Sequence, residues 1–177
     1  MRVVGGQFRS RVLLTFSGDD IRPTSDKVRE SIFNIIQNRT SGATFLDLFC
    51  GTGAMGIEAL SRGAKKVHFN DRSNKSLELT KKNLQKLGVQ GGYLATNLDA
   101  LTLLSTTNEK FDIVFIDPPY ATSLGVQSLA LVPRVLSENG IAIFEDEKPF
   151  GEQIKGLKIV DTRKYGRVHL TFFVKGE

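Results

Sequence analysis

The stretch FLDLFCGTGAMGIEAL, Phe45 to Leu60, decides the fold of this 177-residue chain. It begins as an apolar run, turns through Gly51-Thr52-Gly53-Ala54-Met55-Gly56, and leaves as a helical segment that closes at Gly63. Glycines at such positions let the backbone turn tightly and approach a ligand closely. Strand, glycine turn and helix in this order are the context in which G-x-G-x-x-G binds a nucleotide-type cofactor. The competing reading is a plain strand-to-helix turn, and the motif alone does not separate a nicotinamide dinucleotide from S-adenosylmethionine.

Outward from this stretch, strands and helices alternate. Strands are predicted at 43–49, 65–71, 91–96, 111–116, 140–146, 157–165 and 167–174. Helices are predicted at 24–38, 54–63, 73–88, 98–105 and 124–136, with Pro133 kinking or shortening the last. Val28, Ile32, Ile35 and Ile36 recur on one helical face, as do Leu77, Leu84 and Leu87. Alternation of this kind makes βαβ units. The fold expected is α/β and Rossmann-like: a mostly parallel seven-stranded sheet, helices on both faces, and an antiparallel C-terminal edge strand. Before it, RVVGGQFRSRVLLTF (2–16) reads as two short extended pieces around Gly5-Gly6, a hairpin extension.

Composition narrows the function. Hydrophobic residues are 40% and charged residues 24%, as in a globular chain, and no apolar run is long enough to cross a bilayer. No signal peptide is read at the N-terminus, so a cytoplasmic protein is expected. The single cysteine excludes an internal disulfide, and two histidines far apart argue against a zinc site, so no metal is expected. The net charge is +5, with base clustered at Arg2, Arg9 and Arg11 and again at Lys155, Lys158, Arg163, Lys164, Arg167 and Lys175. That suits a polyanion such as RNA or DNA, or else a merely solvated basic surface.

In an open parallel sheet, ligands bind at the carboxyl ends of the strands. Asp47, four residues before Gly51, sits at such an end. An acid there suits the ammonium or sulfonium of S-adenosylmethionine and would sit poorly beside a pyrophosphate; the alternative is a helix cap or surface acid. Asp71, eighteen residues after Gly53, can accept both ribose hydroxyls of either cofactor. Asp99 can accept from an adenine amino group, with the N–H near Leu98 facing a ring nitrogen, or serve as an N-cap, or both.

The strand FDIVFI ends in Asp117-Pro118-Pro119-Tyr120. A conjugated exocyclic amine is a poor nucleophile because its lone pair is spread into the ring. Two acceptors that take its hydrogens pull the nitrogen toward tetrahedral geometry, and the Asp117 side chain and Pro118 carbonyl are suited to this. The prolines stiffen the loop and remove competing N–H donors. Tyr120 offers a face on which a base can stack. The bland reading is an Asp-Pro turn.

Taken together, RVVGGQFRSR, RPTSDKVRESIFNII, DLFCGTGAMGIEALSRGA and DPPY resemble the class I S-adenosylmethionine-dependent methyltransferases. The resemblance is close to the bacterial RsmD family, which methylates the N2 amine of a guanine in small-subunit (16S) ribosomal RNA. It spans nearly the whole chain, and the first two motifs are more specific than the glycine loop. It implies a class I methyltransferase fold over 23–177, preceded by an RNA-contacting extension over 1–22. It implies a catalytic set of Asp117, Pro118, Pro119 and Tyr120. Cofactor contacts are expected from Thr24, Asp47, Phe49, Gly51 and Gly53, and from Asp71, Arg72, Leu98 and Asp99. RNA contacts are expected from Arg2, Gly5, Gly6, Gln7, Arg9 and Arg11, and from Arg22, Lys27 and Arg29, with Pro23 beside the pocket. The substrate would be ribosomal RNA or the assembled small subunit, the enzyme a monomer, and no membrane is involved.

The chain departs from the family at FNDRS (69–73), where relatives often carry an apolar residue before the acid. Arg72 thus has two readings, stacked on adenine or directed to solvent. Cys50 reads as a small buried thiol, because N-methylation needs no covalent enzyme intermediate. His68 reads as packing, and His169 carries no stronger signal. Other readings are an adenine N6-methyltransferase acting on DNA or RNA, a nicotinamide-dependent oxidoreductase, and a pure RNA-binding module. The last would leave Asp47, Asp71 and DPPY without a common purpose.

Overall fold

The computed structural model describes residues 1–18 and 23–176. Arg22, expected to contact RNA, lies outside the described residues. The chain order is α1 (Asp26–Ile35), α2 (Gln37–Thr40), β1 (Thr44–Asp47), α3 (Ala54–Ser61), β2 (Lys66–Asn70), α4 (Asn74–Lys86) and β3 (Tyr93–Thr96). Then follow α5 (Ala100–Thr106), β4 (Phe111–Ile116), α6 (Leu124–Val135), β5 (Leu136–Asp146), β6 (Leu157–Tyr165) and β7 (Val168–Lys175). The helix expected over 24–38 is interrupted at Ile36, which leaves helical geometry at φ −99° and ψ 15°. Its side chain stays fully buried with Val28, Ile32 and Phe33.

The described strands form one seven-stranded sheet in the order β3-β2-β1-β4-β5-β7-β6. All neighbours up to β5 are parallel, and β7 is antiparallel to both β5 and β6. The antiparallel edge is therefore a hairpin whose second strand enters first, leaving β6 outermost. Alternate residues on the central strands face opposite layers. Phe45, Phe69, Ile113, Phe115 and Ile143 pack with α1, α3 and α4. Leu46, Val114, Ala142 and Phe144 pack with α5 and α6. Strand order reverses between β1 and β4, and this opens the crevice where such sheets bind ligands.

The glycine turn works through close approach. Gly53 caps α3 in the left-handed region at φ 84° and has no side chain to accept the first helical N–H groups. Asp47 on β1 supplies that acceptor, its Oδ2 taking the N–H of Gly56 at 3.0 Å. A Cβ on Gly56 would lie 2.3 Å from the Phe69 ring, so only glycine lets α3 lie this close to β2.

The N-terminal segment makes one antiparallel bridge, Arg2 to Val12. Val3 and Leu13 from its two arms are buried in the core under α1 and α3. It is held by Glu58 of α3, a fully buried carboxylate. Glu58 accepts from the N–H groups of Val4 and Gly5, each at 2.9 Å, from Arg29 Nε at 3.2 Å and from Arg62 Nε at 2.9 Å. Arg29 also donates to the Thr24 carbonyl at 3.3 Å, to Asp26 at 2.7 Å and to the Arg2 carbonyl.

Removing one partner of a buried, hydrogen-bonded pair costs about 3 to 5 kcal/mol, because the other charge is left stranded. Arg29→Met should therefore destabilise the protein by about that amount in urea titrations, and should loosen residues 1–14 in hydrogen exchange. A loss below about 1 kcal/mol would show that the Glu58 network is not structural.

Candidate active site

A cavity of about 540 Å³ opens at the carboxyl ends of β1, β2 and β4, within the usual range for small-molecule sites. The two strands at the switch point bring their terminal acids to it. Asp47 pairs in register with Phe115, two residues before Asp117, and both acids line the cavity. On the other side of β4, Ile116 pairs with Phe144, so Asp117 and Glu145 follow at one level on adjacent strand ends.

These acids are crowded. Asp47 is 1% exposed and Glu145 8%. Burial lifts Asp47 from an ordinary 3.8 to about 7, against the lowering effect of the Gly56 N–H. Burial lifts Glu145 from 4.5 to about 7, with Thr24 Oγ1 donating to it at 2.8 Å. Asp117 is pushed well above the usual carboxylate range, first by burial and then by the charges of Glu145, Asp47 and Asp146.

The far side of the cavity is polar and less enclosed. Asp71 lines it with its rotamer fixed: Oδ2 accepts from Gly51 N–H at 2.9 Å and Oδ1 from Ser73 N–H at 2.8 Å. Asp99 caps α5, accepting from Thr102 N–H at 3.3 Å, and also stands in the cavity wall. Among the described residues, no group of His, Cys, Asp and Glu is arranged to hold a metal, and no helix is long and apolar enough to cross a membrane.

Residues 1–174 match the family described as "Conserved hypothetical protein 95". The Haemophilus influenzae "Ribosomal RNA small subunit methyltransferase D" is 35% identical over 153 residues, covering 84% of this chain and 79% of that protein. The chain belongs to the RsmD methyltransferase family. The Bacillus subtilis protein named "Putative rRNA methyltransferase YlbH" is 34% identical over 182 residues, 99% of either chain. The solved Escherichia coli structure described as "Putative methyltransferase yhhF" superposes with a TM-score of 0.88 at 27% identity, covering 99% of this chain and 97% of that one.

Within this RsmD-family chain, Thr24, Phe49, Gly51, Arg72, Pro118, Pro119 and Tyr120 line the same cavity as Asp47, Asp71, Asp99 and Asp117. Arg72 is exposed at its rim. Gly53 and Leu98 stand outside the wall: Gly53 shapes the turn, and the Leu98 carbonyl accepts from the Asn70 amide at 3.0 Å. Arg29 is a correction. Its side chain is 0% exposed and spent on Glu58, Thr24 and Asp26, so it holds structure and does not reach RNA. Lys27 is exposed on the first turn of α1. Gly5 and Gly6 sit against α3, where a Cβ on Gly6 would lie 1.9 Å from the Ser61 carbonyl oxygen. Gln7 donates its N–H to that same carbonyl at 2.9 Å. The Arg2 guanidinium donates to the Ser10 carbonyl at 2.9 Å and that of Arg11 to the Lys86 carbonyl at 3.2 Å, while Arg9 is exposed.

Cys50 is a buried thiol 3.5 Å from Thr80 Oγ1, pushed up by burial and by Asp47, and so is no nucleophile. His68 is packed inside, its Nε2 2.8 Å from Thr96 Oγ1, with burial lowering its pKa. Sequence reasoning missed Glu145, although an acid ending β5 beside DPPY carried the same strand-end signal as Asp47. It also missed Phe16, Ser17 and Gly18, which line the cavity from a segment without local motif.

Asp47 and Glu145 bind protons more tightly folded than unfolded. Their contribution is therefore favourable below about pH 4 and is lost as pH rises to about 7. The melting temperature of the unliganded protein should fall across that window from these groups. Asp47→Asn with Glu145→Gln should flatten the fall, and an unchanged profile would mean that neither acid is desolvated.

Proposed function

We propose that this chain transfers a methyl group from S-adenosylmethionine to the N2 amine of a guanine in small-subunit ribosomal RNA, acting in the cytoplasm as a monomer. The observation that carries the reading is the meeting of Asp47, on the glycine-turn strand, with Asp117, on the DPPY strand, across one cavity at the sheet's switch point. The rRNA methyltransferase names of its relatives support the substrate class.

The cavity residues fit the donor. Asp47 is buried beside the turn and, among the described residues, has no cation lowering its pKa, and so suits a cationic group. Asp71 suits a ribose diol and Asp99 an adenine amine. The donor supplies a methyl group made electrophilic by its sulfonium, and the chain supplies alignment. Asp117 and the Pro118 carbonyl take the two N2 hydrogens and turn the lone pair toward the methyl carbon. As the N–CH3 bond forms and the S–CH3 bond breaks, the bond pair leaves with sulfur. The proton released from nitrogen passes to Asp117. Tyr120, 52% exposed at the rim, offers its ring to the unstacked base. Positioning reacting atoms about 3 to 3.5 Å apart is worth most of such a rate enhancement.

Burial and the neighbouring acids push Asp117 upward in the free site, and only its ionised form can take the proton released from nitrogen. Positive charge arriving beside Asp47 favours ionisation of the whole cluster. A bound cationic donor thus favours the charged form of the acceptor.

The test is transfer from labelled S-adenosylmethionine to unmodified small subunits and to free ribosomal RNA, followed by nucleoside analysis. Labelled N2-methylguanosine is expected, with loss of transfer in Asp117→Ala while cofactor affinity stays within a few fold. Labelled N6-methyladenosine would keep the clamp and overturn the base. Equal losses of transfer and cofactor binding in the variant would overturn the role of Asp117.

A further inference from the structure

The basic cluster of the C-terminal hairpin is used by nothing above, and its place in the sheet gives it a role. β6 runs in the same direction as β4 and β5, so its carboxyl end lies at the same end of the sheet as the cavity. The register makes this specific. Glu145 pairs with Leu170, and Leu170 with Arg163; Asp146 pairs with His169, and His169 with Lys164. Asp117, Glu145, Leu170 and Arg163 thus stand in one row across four strands. At about 4.8 Å per strand, Arg163 is about 14 Å along the sheet from Asp117. The β6–β7 turn, Gly166-Arg167, projects past that row.

Arg163, Lys164 and Arg167 are all exposed. Arg163 Nε pairs with Asp161 at 3.0 Å, with both side chains substantially open to solvent, a pair of little worth. Lys164 and Arg167 have no ion-pair partner among the described residues. Asp146 lies in the same row as Lys164, two strands nearer the cavity, and Arg167 lies beyond it in the turn. The loop of the N-terminal segment lies elsewhere. Gly6 and Gln7 sit against Ser61 at the last turn of α3, and Arg11 against Lys86 at the end of α4. Those helices return antiparallel to the strands, so these contacts lie toward the end of the sheet away from the cavity.

We infer that the β6–β7 tip, through Arg163, Lys164 and Arg167, is an RNA-docking surface that holds backbone phosphates of nucleotides flanking the target base. The proposal rests on the RNA-methyltransferase reading above. Exposed arginine and lysine placed about three strands from the reacting centre suit a strand that continues past a flipped base, and phosphate contacts position without reading sequence.

The experiment compares wild type with R163E/K164E/R167E, and with K164E/R167E, which spares the Arg163–Asp161 pair. Methyl transfer to small subunits is measured as KM and kcat over a salt series, alongside S-adenosylhomocysteine affinity and melting temperature. The triple variant should raise KM for RNA at least tenfold. It should also flatten the log–log salt dependence by about two, at roughly 0.7 for each phosphate no longer neutralised. Cofactor affinity should be unchanged. The double variant should give an intermediate effect. An unchanged KM and salt slope in both variants overturns the docking surface, as does a KM loss matched by a loss of cofactor affinity. If wild type itself methylates no RNA, the underlying reading has failed instead.

Discussion

Three carboxylates that end neighbouring strands cannot all be charged in a closed space without a cation, and this constraint organises the site. Asp47, Asp117 and Glu145 meet because the strand order reverses between β1 and β4 and because β5 continues the register of β4. Among the described residues Asp47 has no ion-pair partner, and its hydrogen bond comes from the Gly56 N–H. The free site therefore stores protons, and it is complementary to a positive ligand flanked by an amine. In the proposed reaction, ionisation of the acceptor is coupled to arrival of the donor through shared electrostatics.

The same carboxylate has a second task. By accepting the Gly56 N–H, Asp47 replaces the side-chain cap that Gly53 lacks, so the carboxylate that faces the cavity also fixes the start of α3. Glu58, one turn further along α3, does for the N-terminal segment what Asp47 does for the site. It gathers Val4, Gly5, Arg29 and Arg62. Arg29 in turn holds the carbonyl of Thr24, whose hydroxyl donates to Glu145. The extension is thereby continuous with the α1 start and the acid cluster.

Much of this was legible in the sequence, and the physics says why. The central strands β1 and β4 are apolar runs covered on both faces, and glycine turns and strand-end acids announce the crevice. What depended on distant partners was hidden. Arg29 reads as a surface cation of RPTSDKVRE until Glu58, in another helix, is seen to need it. Gly5 and Gly6 read as the centre of a hairpin, whereas Gly6 is dictated by the Ser61 carbonyl. Phe16 lines the cavity two residues after Leu14, which Asn83 of α4 holds by both N–H and carbonyl, at 2.7 and 3.1 Å.

The most direct measurement of the central claim is calorimetry of S-adenosylmethionine and S-adenosylhomocysteine binding near neutral pH, in buffers of different ionisation enthalpy, for wild type and Asp47→Asn. If the acid cluster stores protons that a cation displaces, S-adenosylmethionine binding releases protons in wild type, more than the uncharged sulfide product does, and the difference shrinks in the variant. Binding heats that do not depend on the buffer, or equal release with both ligands, would contradict the account.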